Sequence, residues 1–216
     1  MRRFIESLNF KFSYLRKEFN KKPFCLLDIG AGNHSASKTC RVFPSCEYYG
    51  VDISKNYNNS EEDFKVMKDF YELDLTQLNY SIIPDNYFDA IWMNHIIEHL
   101  GNGEEVIKKL LPKLKSGGFI LIEFPGKRST KLPSMYGTLN FYDDKTHVRI
   151  YSAKEIKELL EKNNCTTVAS GTRRYWPYIL LLPVRIFQSL ITYKRVVGSV
   201  FWDLLGFAEF VYAQKK

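Results

Sequence analysis

The chain has 216 residues, 45% of them hydrophobic and 25% charged, which fits one globular domain with a sizeable core and excludes a chain too polar to fold. Its four cysteines (Cys25, Cys40, Cys46, Cys165) form no C-x-x-C pair and no zinc-like cluster, so a reducing, cytoplasmic setting without disulfides is expected. The net charge of +7 is uneven: residues 1–22 carry +5, residues 171–216 carry +5, and the stretch between is mildly acidic at −3.

Phe4, Leu8, Phe12, Leu15 and Phe19 recur at helical spacing among Arg2, Arg3, Lys11, Arg16 and Lys17, so residues 1–22 read as a basic amphipathic helix. It could pack on the domain, close over a site or touch a membrane surface. No apolar core with a small-residue cleavage site follows it, and no signal peptide is expected. The domain proper is then expected over 23–216. Cys25 to Ile29 reads as a buried strand that ends in Asp28-x-Gly30-x-Gly32, with a helix from Ser35 to Phe43. Strand, glycine turn and helix bring a backbone close to a nucleotide-like ligand, and glycine supplies both room and positive φ.

Tyr48 to Asp52 reads as a second strand ending in an acid, placed to reach ribose hydroxyls. Tyr71 to Asp74 reads as a third strand and Phe88 to Asn94 as a fourth. Val106, Ile107, Leu110, Leu111 and Leu114 form a helical stripe kinked at Pro112 and stopped by Gly117-Gly118. Phe119 to Phe124 is a fifth strand, followed by a long loop to Ile150. Ser152-x-x-Glu155 is a capping box, and Thr166–Ser170 and Phe207–Ala213 are the last two strands. Alternating strands and helices give an α/β, doubly wound sheet.

Five features in this order resemble the class I S-adenosylmethionine-dependent methyltransferases: Asp28-Ile29-Gly30-Ala31-Gly32, Asp52, Asp74, Phe88-Asp89-Ala90-Ile91 leading to Ile97-Glu98-His99-Leu100, and Leu114-Lys115-Ser116-Gly117-Gly118-Phe119-Ile120-Leu121. The resemblance implies a Rossmann-like seven-stranded sheet with an antiparallel last strand, and S-adenosyl-L-methionine as cofactor. It implies that Asp28, Gly30 and Gly32 meet the methionine part, Asp52 the ribose, Ile53 the adenine face, and Asp74 with Leu75 the adenine edge. Asn94 and His95 would line the floor between cofactor and acceptor. One departure is His34, where many members have a third glycine. A nicotinamide dinucleotide site would need glycine at position 35, which is Ser35.

Methyl transfer needs a positioned acceptor and, for a hydroxyl, a base. His147, with Asp144 to orient it, is the candidate on the loop after the fifth strand, and His95 is a third catalytic candidate; alternatively His147 caps the next helix. His95-x-x-Glu98-His99 has the H-x-x-E-H spacing of a zinc site, but the sequence identifies no third ligand and no metal is expected. The Asn/Asp-Pro-Pro-Tyr type signature of base-amino methyltransferases is absent, the corresponding residues being Asn94-His95-Ile96-Ile97, which argues against nucleic acid. About 172–206 an insertion precedes the last strand; Tyr175 to Tyr193 holds a single charge, Arg185, between Arg173-Arg174 and Lys194-Arg195. Pro177, Pro183, Arg185 and Gln188 argue against a spanning helix. The segment suits a membrane interface, a cap on the substrate site or a homodimer face. The expected activity is methylation of a small-molecule, sugar or lipid-linked acceptor at oxygen. The alternatives are an RNA or DNA methyltransferase and a non-catalytic binding or scaffold module.

Overall fold

The computed structural model describes residues 7–216. Seven strands form one sheet: β1 (Phe24–Ile29), β2 (Cys46–Asp52), β3 (Met67–Glu72), β4 (Phe88–Asn94), β5 (Leu114–Pro125), β6 (Cys165–Thr172) and β7 (Ala208–Lys215). Their order is β3-β2-β1-β4-β5-β7-β6. The first five pair in parallel, and β7 runs antiparallel to both β5 and β6. The expected doubly wound sheet with an antiparallel last strand is therefore present.

Side chains alternate across this sheet and feed two cores. On one face Leu27, Ile29, Val51, Ile91 and Met93 meet Val106, Ile107 and Leu110 of α4 (Gly103–Leu110) and Ile156 and Leu160 of α5 (Ala153–Lys162). On the other, Leu26, Tyr48, Trp92 and Leu121 meet α1 (Phe10–Glu18) and α2 (Ser35–Val42). A short helix, α3 (Glu61–Val66), leads into β3.

The stripe read over residues 1–22 is not one helix. Phe4, with Arg2 and Arg3, lies outside the described residues; α1 starts at Asn9, whose side chain accepts from the Lys11 N–H at 3.1 Å. Phe12 and Leu15 are each only 2% exposed. Phe12 packs edge-on against Phe43 at 5.6 Å, and Phe19 stacks on Phe24 at 4.4 Å. α1 is thus a wall of the second core.

Two element boundaries differ from the sequence reading. β3 lies at Met67–Glu72, so Asp74 stands beyond the strand as the N-cap of a 3₁₀ turn. The Gly117-Gly118 pair does not stop a helix: α4 ends at Leu110, a 3₁₀ turn holds Pro112, and both glycines lie inside β5. Gly117 has φ +78° where the β4–β5 register shifts, as an L-residue rarely could. The Ser152 side chain accepts from the Glu155 N–H at 3.2 Å, but the Glu155 carboxylate binds Arg149 instead of closing the box.

The insertion holds α6 (Trp176–Leu180), α7 (Leu182–Tyr193) and α8 (Trp202–Leu205). Phe12→Ala should cost about 3–5 kcal/mol of stability, the usual range for emptying a buried phenylalanine site, while Phe12→Leu should cost less. Urea unfolding midpoints check this, and an effect near zero would mean that α1 is not part of the cooperative core.

Candidate active site

The strand order reverses between β1 and β4, and at their carboxyl ends lies a cleft of about 300 Å³. Asp28, Gly30, Gly32, Asn33 and Ser35 wall it from the β1–α2 turn, Asn94 from the end of β4. Asn9, Lys11 and Phe12 of α1 and Tyr178 of α6 close the other side.

The turn is built by backbone constraint. Gly30 has φ +79°, and a Cβ there would stand 2.1 Å from Ile96 Cδ1. At Gly32 a Cβ would stand 2.6 Å from the Tyr57 ring and 2.8 Å from the Tyr57 carbonyl oxygen. Gly30 is therefore required by its φ and Gly32 by packing against the Tyr57 backbone, reasons additional to ligand approach. The amides of Gly30 and Ala31 donate to Val51 O at 2.8 and 3.1 Å, which ties the turn to β2. Where a third glycine is common, Asn33 and His34 both take positive φ, 55° and 58°. The His34 ring repays that conformation, with Nδ1 2.7 Å from the buried Asp63 of α3.

Asp28 is 2% exposed and accepts from Tyr48 Oη at 2.6 Å and from the Ser35 hydroxyl. Lys11 Nζ lies 3.0 Å from Ser35 Oγ, 3.8 Å from Asp28 and 4.4 Å above the Trp92 ring. A cation thus stands beside the first acid of the motif, delivered by the N-terminal helix. The sequence reading raised closure over a site as one role of that helix, but did not single out Lys11, Asn9 or Tyr178.

Asp52 ends β2 half-buried, and burial pushes its carboxyl above the usual value. Ile53 beside it is 70% exposed. Asp74 has both oxygens engaged: Oδ1 accepts from Thr76 N and Oγ1 at 2.8 and 2.7 Å, and Oδ2 from Gln77 Nε2 at 3.2 Å. Those hydrogen bonds hold its carboxyl below the ordinary value. Leu75 turns its side chain into the core, 8% exposed.

His95 has φ +55° and is clasped by two carboxylates, Nε2 to Glu123 at 2.9 Å and Nδ1 to Glu98 at 3.3 Å. Burial alone would lower its pKa; the two carboxylates outweigh this and push it up to about 9. The ring leans on Trp202 at 4.7 Å. Behind it Glu123 accepts from Arg173 Nη1 at 2.6 Å, and Arg173 grips Asp203 through Nε and Nη2, both at 2.9 Å. An acid within the apolar run of β5 was the sequence signal for this network; its partner, fifty positions later, was read as a basic flank of the insertion. Arg173 is in fact buried at 8% exposed, and Arg185 likewise turns inward, donating to Val200 O and Ser199 O.

His147 and Asp144, expected to face an acceptor, lie outside the residues that line the cleft. The His147 side chain is 4% exposed, Nδ1 lies 2.6 Å from Phe141 O, and Nε2 lies 3.9 Å from Asp144 and 4.0 Å from Glu98. Nor does His147 cap α5, since Ser152 does.

The glycine turn, the acid at the end of β2 and the reversal point define a class I S-adenosylmethionine-dependent methyltransferase. Over residues 1–170 the chain matches the family described as "Methyltransferase domain", and it belongs to that family. S-adenosyl-L-methionine is accordingly its cofactor. The chain is 25% identical over 150 residues to Phosphoethanolamine N-methyltransferase 2 of Caenorhabditis elegans, a match covering 65% of this chain and 31% of that one. It is 30% identical over 146 residues to the uncharacterized protein MJ0906 of Methanocaldococcus jannaschii, covering 63% and 38%. The match thus spans about a third of each relative's length. In fold it resembles a SAM dependent methyltransferase from Archaeoglobus fulgidus, with TM-score 0.59, 20% identity and coverage of 100% and 95% of the two chains. It also resembles the 1,6-didemethyltoxoflavin-N1-methyltransferase of Burkholderia thailandensis, with TM-score 0.59, 15% identity and coverage of 94% and 76%.

The residues present fit this cofactor. Asn94 Nδ2 is buried in the cleft wall without a partner, a donor that a polar ligand would satisfy. Lys11 offers positive charge at the end of the cleft where Asp28 and Ser35 meet.

Two outcomes follow. Asp52→Ala should weaken S-adenosylmethionine binding about 100-fold, the loss of two hydrogen bonds to a carboxylate, as read by calorimetric titration; unchanged affinity would remove Asp52 from the site. The Arg173 charge, with the His95 contact, holds the Glu123 carboxyl down at about 2 against an ordinary 4.5. The Glu123 contribution to stability is therefore present above pH 4.5 and lost as pH falls toward about 2. Urea midpoints measured down this range should fall, and the Glu123→Gln variant should fall less steeply from a lower start.

Proposed function

We propose that this chain transfers the methyl group of S-adenosylmethionine to an oxygen of a small, sugar or lipid-linked acceptor presented at a membrane surface. The observation that carries the proposal is the outer face of the insertion. Trp176 and Leu180 stand one turn apart on α6, and Phe187, Leu190 and Ile191 stand within about one turn on α7; they are 68%, 75%, 59%, 44% and 58% exposed. The stripe runs into Lys194 and Arg195, both exposed, within a segment of net charge +5. An apolar stripe bordered by cations suits the interface of an anionic bilayer. Among the described residues no helix is long and apolar enough to cross a membrane, so this mode is lateral.

Tyr178 of α6 belongs both to the cofactor cleft and to a second groove of about 300 Å³ lined by Arg185, Gln188, Ser189 and Val200. The insertion therefore joins the apolar face to the methyl-donating cleft. An in-line displacement leaves the protein chiefly the task of holding the acceptor oxygen against the cofactor. Asn94 and the glycine turn hold the cofactor, and His95, fixed between two carboxylates, keeps its orientation. His95 already carries its proton below about pH 9, so it positions and does not act as base at neutral pH.

The test uses methyl-labelled S-adenosylmethionine and vesicles of anionic lipid carrying extracted polar and isoprenoid lipids. Label in the organic phase, and sedimentation with the vesicles that is lost in the double variant Phe187→Ser with Ile191→Ser, are the expected results. Label transferred to phosphoethanolamine or another amine, or protein that stays in the supernatant at low salt, would overturn the proposal.

A further inference from the structure

We propose that Glu98, His99 and His147 form a binding site for a divalent first-row transition metal ion. One ligand atom from each of these three side chains lies within 4.8 Å of the others, the only such group of three among the described residues. The H-x-x-E-H spacing offered His95 and His99 as a pair without a third ligand; the fold leaves His95 on two carboxylates and instead brings Glu98 and His99 together with His147, from a loop almost fifty positions later.

The site is built and not a chance cluster on the surface. Glu98 is 1% exposed, and His95 engages its Oε1, but its Oε2 is buried with no partner at all. A buried carboxylate oxygen without a donor is costly, and a cation beside it removes that cost. The backbone brings the elements together: Val148 N and Arg149 N donate to Glu98 O at 2.9 and 3.2 Å, pinning the His147 loop to the turn after β4.

Each imidazole is held in the manner of a metal ligand. The His147 Nδ1–H donates to Phe141 O at 2.6 Å, which leaves the lone pair on Nε2. His99 Nδ1 lies 2.9 Å from Thr146 Oγ1 and 3.3 Å from Thr146 O. The Thr146 hydroxyl proton goes to Asp144 Oδ1, so Oγ1 accepts from His99 and the second lone pair is likewise on Nε2. Such outer hydrogen bonds fix tautomer and ring orientation. His95 on Glu98 Oε1 does the same for the carboxylate. The two rings stand 4.8 Å apart, centroid to centroid.

Two imidazoles and one carboxylate suit manganese, iron, cobalt or zinc as divalent ions, and leave coordination positions open for water or another oxygen ligand. The site stands directly behind His95, next to the cleft but not part of its wall. It does not depend on the acceptor proposed above, because its occupancy is read without one.

The full chain, stripped with chelator and dialysed, is titrated with cobalt(II) chloride by calorimetry and visible absorption, and its thermal midpoint is recorded with and without the metal. Expected are stoichiometric binding, d–d absorption of an imidazole-ligated ion, and a raised midpoint. In His99→Asn the affinity should fall by at least about tenfold and the rise in midpoint should vanish. Glu98→Gln should behave alike; because it alters a buried position, the half-exposed His99 variant decides the matter should Glu98→Gln fail to fold. No binding to the wild type, or equal affinity in wild type and His99→Asn, would overturn the assignment.

Discussion

The interaction on which the rest of the site depends is the buried pairing of Glu123 with Arg173. Glu123 enters from the middle of the sheet, where a carboxylate without a partner would be severely destabilising. Arg173 comes from the end of β6 and carries Asp203 of α8 with it, so one guanidinium fastens the sheet to the insertion. On the other side Glu123 holds His95, and His95 holds Glu98. A chain of alternating charges thus runs from α8 through the sheet to the turn after β4, and Trp202 closes over it. The turn after β4 is held in place by this chain. His95 sits at positive φ, a conformation that its two carboxylate partners keep in place.

How much of this was legible in the sequence follows from burial. β1 and β4 are covered on both faces, so their apolar runs read directly and Phe88–Asn94 was located to the residue. β3 is an edge strand with the composition Met-Lys-Asp-Phe-Tyr-Glu, largely open to solvent, and gave no such run. Its position was therefore read too late, and Asp74 was taken for its end. Gly117-Gly118 punctuates a bulge in a strand as readily as a helix terminus, and only the pairing of β4 with β5 decides between them.

In the site, residues joined by short sequence spacing were visible: the Asp28–Gly32 turn, and His95 with Glu98 and His99. Residues joined only by the fold were not. Lys11 reaches Asp28 from α1, Arg173 reaches Glu123 across fifty positions, and His147 comes to Glu98 because two backbone amides dock its loop there. Charges in the insertion misled for the same reason. In one dimension Arg173 looks like a flank of an apolar segment and Arg185 like a lone charge within it, whereas in three both point inward and leave Arg174, Lys194 and Arg195 outside.

The placement of α1 bears on where this chain can be cut. A boundary between Lys22 and Pro23 looks natural in one dimension, just ahead of the first strand. Trimming there would remove Phe12 and Leu15 from beneath the sheet and Lys11 from the motif acid, opening the cleft along one whole side. A shortened recombinant form that begins at the first strand would thus expose Trp92 and Tyr212 to water. Its failure to bind ligand would report a missing wall, and say nothing about the remaining residues of the pocket.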